Sequence, residues 1–272
     1  DGNGASGPTG RPRLLRCASM ANPAERFDLT GRVVVVTGGS RGLGRSMVFA
    51  LAEAGAEVLV SSRKQAACEE VAAQVVERTG RRAEAHACHV GRWDDCDALA
   101  AVAYDRFGRV DVLINNAGMS PLYESVGAVS EELWDKTVGV NLKGPFRLSA
   151  VIGERMVADG GGSIINVSST GAVRPYGGII PYAAAKAGLH AMTMAFADAL
   201  GPTVRVNCLM PGAFRTDVTA AWGDDMIAAA GAAVPLGRIG EPDEIVGATL
   251  WLASEAGSYV TGAVIPVTGG AA

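Results

Sequence analysis

The stretch V-V-V-V-T-G-G-S-R-G-L-G, residues 33–44, decides the fold that the sequence predicts. Its β-branched start is typical of a short strand that is buried on both faces. Glycines at positions 38, 42 and 44 form a turn, and the helical pattern R-S-M-V-F-A-L-A-E-A follows as far as Gly55. A strand, a glycine turn and a helix in this order predict a dinucleotide site with the pyrophosphate at the helix N-terminus.

The second predicted strand, E-V-L-V-S-S at residues 57–62, indicates which dinucleotide is preferred. An NAD site usually has an acid on the ribose about 20 residues after the glycines. This chain has Ser62 there, followed by Arg63 and Lys64. No acid repels a 2′-phosphate, and Arg63 and Arg41 can both reach one, so NADP(H) is favoured over NAD(H). The plain alternative is that Arg63 and Lys64 only solvate a loop.

Beyond this region, strand patterns alternate with helical patterns as far as the C-terminal run A-V-I-P-V. Helices are predicted at 65–79, 93–107, 130–158 and 241–253, and strands at 82–89, 110–118, 163–169 and 202–209. The alternation predicts an α/β fold, a single doubly wound Rossmann domain whose parallel sheet of about seven strands has helices on both faces. We assign residues 27–272 to that domain. Residues 1–26, rich in Gly, Pro, Ala and Arg without periodicity, are expected to be a disordered extension.

Composition narrows the classes of partner. The chain has 272 residues and a net charge of −4, without a basic block beyond its N-terminus, so nucleic acid is not an expected partner. No apolar run approaches the roughly 18 residues of a membrane helix. Five scattered cysteines without a C-x-x-C pair suit reduced thiols and predict a cytoplasmic protein. His86, Cys88 and His89 include metal-ligand types, but side chains that alternate along a strand point apart, so no metal is predicted.

A chemical site is predicted in S-T-G-A-V-R-P-Y-G-G-I-I-P-Y-A-A-A-K, residues 169–186. Pro181 suits the first turn of a helix on which Tyr182 and Lys186, four residues apart, share a face. An ammonium roughly 4 Å from a phenol, at an effective dielectric of about 20, favours phenolate by about 4 kcal/mol. That would move the pKa of Tyr182 towards the range useful for proton transfer. Ser169 follows a strand and can hydrogen-bond a substrate oxygen. A lone Y-x-x-x-K is also common on plain helix surfaces, so the rest of the chain must decide.

Two further features point to a pocket. Asn141 lies inside the predicted helix 130–158, where asparagine is mildly unfavourable, so it either faces solvent or serves a site. The segment 213–237 follows a strand end and is predicted to be a lid. The residues expected to line the pocket are Met119, Leu122, Tyr123, Arg174, Tyr176, Ile179, Trp222 and Met226.

Taken together, T-G-G-S-R-G-L-G, N-N-A-G, Asn141, Ser169, Y-A-A-A-K and P-G-A-F-R-T resemble the short, single-domain branch of the short-chain dehydrogenase/reductases. The resemblance covers nearly the whole chain and implies an NAD(P)-dependent oxidoreductase that moves a hydride between nicotinamide and a carbonyl or secondary alcohol. It implies that Tyr182 is the acid/base and that Lys186 lowers its pKa and binds the nicotinamide ribose. It also implies that Ser169 polarises the carbonyl and that Asn141 holds a water of a proton relay.

The resemblance implies a set of cofactor contacts as well. They are Gly38, Ser40, Arg41, Gly42, Leu43, Gly44, Ser62, Arg63, His89, Val90, Asn115, Ala117, Gly118, Tyr182, Lys186, Pro211, Gly212 and Thr216. Two positions depart from the family pattern, since His89 and Thr268 stand where the family usually has aspartate. We therefore expect the adenine contact near His89 to differ from the usual one.

The expected partners are a small carbonyl or alcohol substrate and further copies of the chain. The helix after Tyr182 is apolar nearly all round and needs cover on both sides, which, with the family's usual tetramer, predicts a homotetramer. The plain alternative is that the lid of the same chain covers this helix. The alternative function is a non-catalytic nucleotide sensor or scaffold of the same fold. The presence of both Tyr182 and Lys186 disfavours it, and the glycine spacing disfavours an epimerase or dehydratase.

Overall fold

The fold is seen in a computed structural model that describes residues 22–220 and 223–271. The strands are β1 Val33–Thr37, β2 Glu57–Ser62, β3 Ala83–Ala87, β4 Val112–Asn115, β5 Gly162–Val167, β6 Val204–Pro211 and β7 Val264–Val267. They form one parallel sheet in the order β3-β2-β1-β4-β5-β6-β7. The predicted doubly wound Rossmann architecture is confirmed. The expectation of disorder for residues 1–26 falls largely on residues 1–21, which lie outside the described part.

Helices connect the strands and cover both faces of the sheet. They are α1 Gly42–Glu53, α2 Gln65–Thr79, α3 Trp93–Phe107, α4 Glu131–Val138, α5 Gly144–Ala158, α6 Ile180–Leu200, α7 Asp217–Ala220, α8 Asp224–Ala232 and α9 Val246–Ala253. Glycines with positive φ end two of them, since Gly80 (φ 66°) follows α2 and Gly108 (φ 78°) follows α3. Pro181 lies in the first turn of α6, as its missing N–H predicts.

Two apolar cores lie on opposite faces of the sheet because successive strand residues point to opposite sides. Val34 and Val36 of β1 belong to the core under α1, α2 and α9. Val35 between them belongs to the core under α3, α5 and α6. All three valines are fully buried, which explains why β1 is an uninterrupted β-branched run.

The observed elements differ from the predicted ones mainly where the chain leaves the sheet. The predicted strands 82–89 and 110–118 shorten to β3 and β4, because residues after each strand form turns at the carboxyl edge. The predicted helix 130–158 is divided into α4 and α5 by a π-helical turn, Gly139–Lys143, which contains Asn141. Such turns often occur at functional sites.

Among the residues that the structure describes, no helix combines the length and the apolar character that crossing a bilayer requires.

Candidate active site

The carboxyl edge of the sheet gathers the residues predicted for the cofactor. In a parallel sheet all strands end at the same edge, which is where α/β proteins bind their ligands. The predicted contacts follow or end β1 (Gly38, Ser40, Arg41, Gly42, Leu43, Gly44), β2 (Ser62, Arg63), β3 (His89, Val90), β4 (Asn115, Ala117, Gly118) and β6 (Pro211, Gly212, Thr216). The structure therefore brings these positions to one edge, although the sequence separates them by up to 178 residues.

Ser169 and Tyr182 line the same space. Ser169 caps a short turn, with its Oγ accepting the Gly171 N–H at 3.1 Å. A methyl group added to Gly171 would lie 3.5 Å from Ser169 Oγ and 3.6 Å from Tyr182 Cε1. The Ser169 hydroxyl lies near enough to Tyr182 to lower the pKa of the phenol. A substrate oxygen placed between them could accept a hydrogen bond from each.

Lys186 lies one helical turn beyond Tyr182 and is almost fully buried, with 3% of its surface exposed. Its Nζ donates a hydrogen bond to the Val167 carbonyl at 2.7 Å and lies 5.8 Å from the centre of the Tyr182 ring. Burial lowers the pKa of Lys186 to about 8, because the charged form loses its hydration. The ammonium is held by the end of β5 rather than by the phenol.

The predicted lowering of the Tyr182 pKa is wrong for this structure. Burial raises the pKa of Tyr182 above its ordinary value, and the nearby Ser169 hydroxyl opposes this only in part. The sequence argument assumed an ammonium close to the phenol and neglected the loss of hydration of both groups. Tyr182 therefore retains its proton near neutral pH, which suits a proton donor.

Asn141 is brought beside Lys186 by the π-helical turn. A methyl group on Gly118 would lie 3.1 Å from Asn141 Oδ1 and 3.6 Å from Lys186 Nζ. Asn141 Nδ2 donates to the carbonyls of Met119 at 2.7 Å and Thr137 at 2.9 Å. Its Oδ1 accepts the Met119 N–H at 3.2 Å. Since both amide hydrogens are used, only Oδ1 remains for a further donor, so this side chain can hold a water only as an acceptor.

A buried polar network under the site includes residues that the sequence patterns did not single out. Asn115 Nδ2 donates to Ser149 Oγ at 3.0 Å and to Asn166 Oδ1 at 2.9 Å. Asn166 Nδ2 donates in turn to Thr193 Oγ1 at 2.9 Å. The network joins β4 and β5 to α5 and α6, so Asn115 acts as a support of the sheet. The polar Asn166 within the apolar run of β5 was the available signal.

The glycine turn has the shape that a pyrophosphate requires. Gly38 and Gly42 have φ of 65° and 52°, which side chains rarely adopt, and a methyl on Gly44 would lie 2.2 Å from the Gly38 carbonyl oxygen. The first turn of α1 has neither a side-chain cap nor an acidic residue. Its N–H groups are therefore available to an anion, and the donors present fit a dinucleotide phosphate. Thr216 borders this turn, 3.5 Å from a methyl placed on Gly42.

At the end of the site where the 2′-phosphate-bearing ribose is expected, some of the predicted contact residues already have partners within the chain and others do not. Arg41 Nη1 forms an ion pair with Asp217 Oδ2 at 3.2 Å, and Ser62 Oγ lies 3.0 Å from Cys68 Sγ. Arg63 is exposed, and no ion pair involves it among the described residues. Arg63 and the neighbouring Lys64 are thus exposed cations without an ion pair in the described part of the chain, whereas Arg41 would have to leave Asp217 to meet a 2′-phosphate.

The His89 side chain makes its hydrogen bond within its own loop. Its Nδ1 accepts the Gly91 N–H at 3.2 Å, and its main-chain N–H donates to Asp95 Oδ2 at 3.0 Å. Val90 beside it is buried. Within 22–220 and 223–271, no three His, Cys, Asp or Glu side chains are placed to share a metal ion.

Known proteins resemble this chain along nearly its whole length. A sequence profile of the family described as Enoyl-(Acyl carrier protein) reductase matches residues 30–272. Human dehydrogenase/reductase SDR family member 4 is 36% identical over 259 residues, which cover 94% of this chain and 92% of that protein. The chain belongs to the short-chain dehydrogenase/reductase family. The predicted resemblance is thereby confirmed, and with it an oxidoreductase family that uses NAD(P)(H).

Two solved structures show the same fold as this chain. A short-chain type dehydrogenase/reductase from Mycobacterium marinum is 31% identical, with a TM-score of 0.87 over 92% of this chain and 99% of that one. The NADPH-dependent 3-quinuclidinone reductase from Rhodotorula rubra is 29% identical, with a TM-score of 0.87 over 97% and 99%. The sequence comparisons therefore give an oxidoreductase family, and the structure comparisons give the Rossmann fold that this family has.

The segment predicted to be a lid contains two short helices, α7 and α8. Met226 on α8 is 56% exposed. Trp222, also expected in the pocket, lies outside the described residues. The role of this segment as a lid stays a prediction.

Proposed function

We propose that this protein is an NADP(H)-preferring dehydrogenase/reductase that interconverts a small carbonyl compound and the corresponding secondary alcohol. The observation that carries the proposal is the shared space of Ser169 and Tyr182, with Lys186 buried one helical turn away. Two hydroxyl groups that converge on one point suit a substrate with a single reacting oxygen.

The proposed chemistry divides between the cofactor and the side chains. When bound, the nicotinamide supplies or accepts the hydride. In the reducing direction Tyr182 gives its proton to the substrate oxygen, and Ser169 donates a hydrogen bond to the negative charge that develops there. Lys186 provides a buried positive charge that offsets the charge left on Tyr182. Asn141, which lies near Lys186, is itself fixed by hydrogen bonds to the main chain of Met119.

The groups proposed to hold the cofactor lie at the same carboxyl edge of the sheet. The N–H groups after Gly42 would receive the pyrophosphate, and Thr216 borders them. Arg63 would bind the 2′-phosphate, since it is exposed and carries no competing carboxylate. The NADPH-dependent relative from Rhodotorula rubra supports this preference.

Arg63→Ala should lower the NADPH preference while leaving NADH almost unaffected. A charge-assisted contact of about 1.5–3 kcal/mol corresponds to roughly a 10- to 150-fold loss in kcat/KM for NADPH. Lys64→Ala is the matched control, because it removes the neighbouring exposed cation. The measurement is the NADPH/NADH ratio of kcat/KM, together with dissociation constants for both cofactors from calorimetry. An unchanged ratio in the Arg63 variant would reject the proposed phosphate contact.

We further propose a homotetramer in the cytoplasm. Phe146 on α5 and Met194 on α6 are 42% and 56% exposed, so both helices carry large apolar groups for which a second copy would provide cover. Cys68, Cys88, Cys96 and Cys208 are buried free thiols, as a reducing compartment allows. Sedimentation at micromolar concentration should give a mass near four chains, and a stable monomer would contradict the assembly.

The second candidate function is a nucleotide sensor or scaffold without turnover. Both candidates bind the cofactor, so binding alone does not separate them. A panel of ketones, sugar acids and acyl thioesters, each tested with both cofactors, does so through the change in cofactor absorbance. Turnover of any carbonyl or alcohol supports the enzyme.

A further inference from the structure

Tyr123 joins two segments that flank the candidate active site. Its hydroxyl donates to the Gly177 carbonyl at 2.5 Å and accepts the Ile180 N–H at 2.8 Å. Tyr123 belongs to the connection from β4 to α4, whereas Gly177 belongs to the connection from β5 to α6 and Ile180 is the first residue of α6. One phenol thus satisfies a donor at the start of α6, two residues before Tyr182.

The two hydrogen bonds of the Tyr123 hydroxyl are the hydrogen-bonded link between the two segments. In the described chain, no other hydrogen bond links residues 116–130 to residues 168–180. The first segment carries Met119, which is held by Asn141, and the second carries Ser169. The Tyr123 hydroxyl is therefore the polar contact between these two segments, 116–130 and 168–180, which we call the two walls of the cleft.

The walls that Tyr123 connects expose large apolar side chains. We call them the apolar rim: Leu122 (89% exposed), Val126 (61%), Val173 (52%), Tyr176 (65%) and Ile180 (40%). Glu124 and Arg174, one charge of each sign, lie among them, so the rim carries no net charge that would attract an anion. An apolar rim beside two hydroxyl groups suits a substrate with one polar atom on an apolar body.

We propose that Tyr123 is a positioning residue that holds the two walls together, and that the apolar rim selects carbonyl substrates carrying an extended apolar group. This inference rests on the proposed function, since it concerns the substrate of the same site. A compact ketone reacts without needing the rim. A polyhydroxylated acid would bury hydroxyl groups against apolar side chains that cannot accept or donate hydrogen bonds, which disfavours its binding.

The test compares three probes in the full-length enzyme, with NADP(H) and with NAD(H): an aryl alkyl ketone, butanone, and gluconate in the oxidising direction. The wild type should give its highest kcat/KM with the aryl ketone. Tyr123→Phe keeps the ring but loses both hydrogen bonds. It should raise KM for the aryl ketone roughly five- to twentyfold, and it should leave kcat and the KM for butanone within about twofold.

Two additions make the test specific. Tyr104→Phe is the matched control, because that hydroxyl contacts the Ile152 carbonyl at 3.5 Å, away from the cleft, and its loss should leave all three substrates unchanged. Hydrogen exchange of main-chain amides reports on the Tyr123 hydrogen bonds and requires no turnover of a substrate. In Tyr123→Phe the amides of 116–130 and 170–180 should exchange faster than in the wild type, while those of β1 should not.

Equal losses for the aryl ketone and butanone, or unchanged exchange in both segments, would overturn the positioning role. A wild type that prefers gluconate would overturn the apolar selection while leaving the proposed oxidoreductase function intact. Turnover of none of the probes, and of no compound in the wider panel, would overturn both.

Discussion

Tyr182→Phe should lower kcat by about a thousandfold while the protein stays folded, because a positioned acid or base typically contributes 10²- to 10⁴-fold. The change removes the only proton that the phenol can offer to the substrate oxygen and keeps the ring in place. Ser169 still donates a hydrogen bond there, so KM should change only a few-fold. The measurement is steady-state reduction of a ketone identified in the panel, with the folded state checked by circular dichroism.

Tyr259→Phe is the control for this change, since Tyr259 is fully exposed and its hydroxyl has no structural role to lose. A Tyr182→Phe variant that retains more than a tenth of wild-type kcat would rule out Tyr182 as the proton donor. A variant that loses activity through unfolding would be recognised from its spectrum, and the comparison would then use Tyr182→Phe at a temperature where it is folded.

Lys186→Met should abolish most activity and yet make the protein more stable at pH 7. Burial lowers the pKa of Lys186 from 10.5 to about 8, a shift that corresponds to a folding cost of about 3 kcal/mol. Methionine fills a similar volume without a charge. The lost hydrogen bond deprives the Val167 carbonyl of this donor and costs about 1–3 kcal/mol, so the unfolding free energy should rise by at most about 2 kcal/mol.

The pH dependence identifies Lys186 as the cause. Its pKa is lower in the folded state, so between about pH 8 and 10.5 the unfolded state binds more protons and stability rises with pH. Below about pH 8 the full cost of the buried charge is present. The stability difference between Lys186→Met and wild type should therefore be constant below pH 8 and shrink as the pH approaches 10.5.

Urea unfolding from pH 6 to 10 measures this difference directly. Lys136→Met, which removes an exposed lysine on α4, should show no such pH-dependent gain. A Lys186→Met protein that is less stable than wild type at pH 7 would contradict the stated cost of the buried ammonium. It would indicate that Lys186 stabilises the fold through its contacts more than its burial destabilises it.

The order of elements could be predicted from local patterns because each pattern has its own period. The valines of β1, the glycines after it and the apolar helix α1 are contiguous, so no distant contact is needed to recognise them. The π-helical turn at Asn141 could not be predicted. It depends on the carbonyls of Met119 and Thr137 meeting the amide of Asn141, and Met119 lies 22 residues away in the chain.

In the candidate site, too, some features could be predicted from local sequence patterns and others depend on distant contacts. Position and spacing single out Ser169, Tyr182 and Lys186, and the structure brings all three to the carboxyl edge of the sheet. Their protonation could not be predicted, since it depends on burial. The sequence suggested an ammonium that lowers the pKa of Tyr182. The folded chain buries Lys186 and half-buries Tyr182, so loss of hydration raises the pKa of Tyr182 and lowers that of Lys186.

The sequence by itself determined the family and the alternating α/β order, and it named the candidate reactive side chains, because these depend on residue type and on spacing along the chain. Only the tertiary structure decided which groups keep their charge and which cations remain free. Arg41 pairs with Asp217, 176 residues away, while Arg63 stays exposed. It also decided that Tyr123 bridges the two walls of the cleft. Hydration and long-range contacts arise only when distant segments meet, and no local pattern records them.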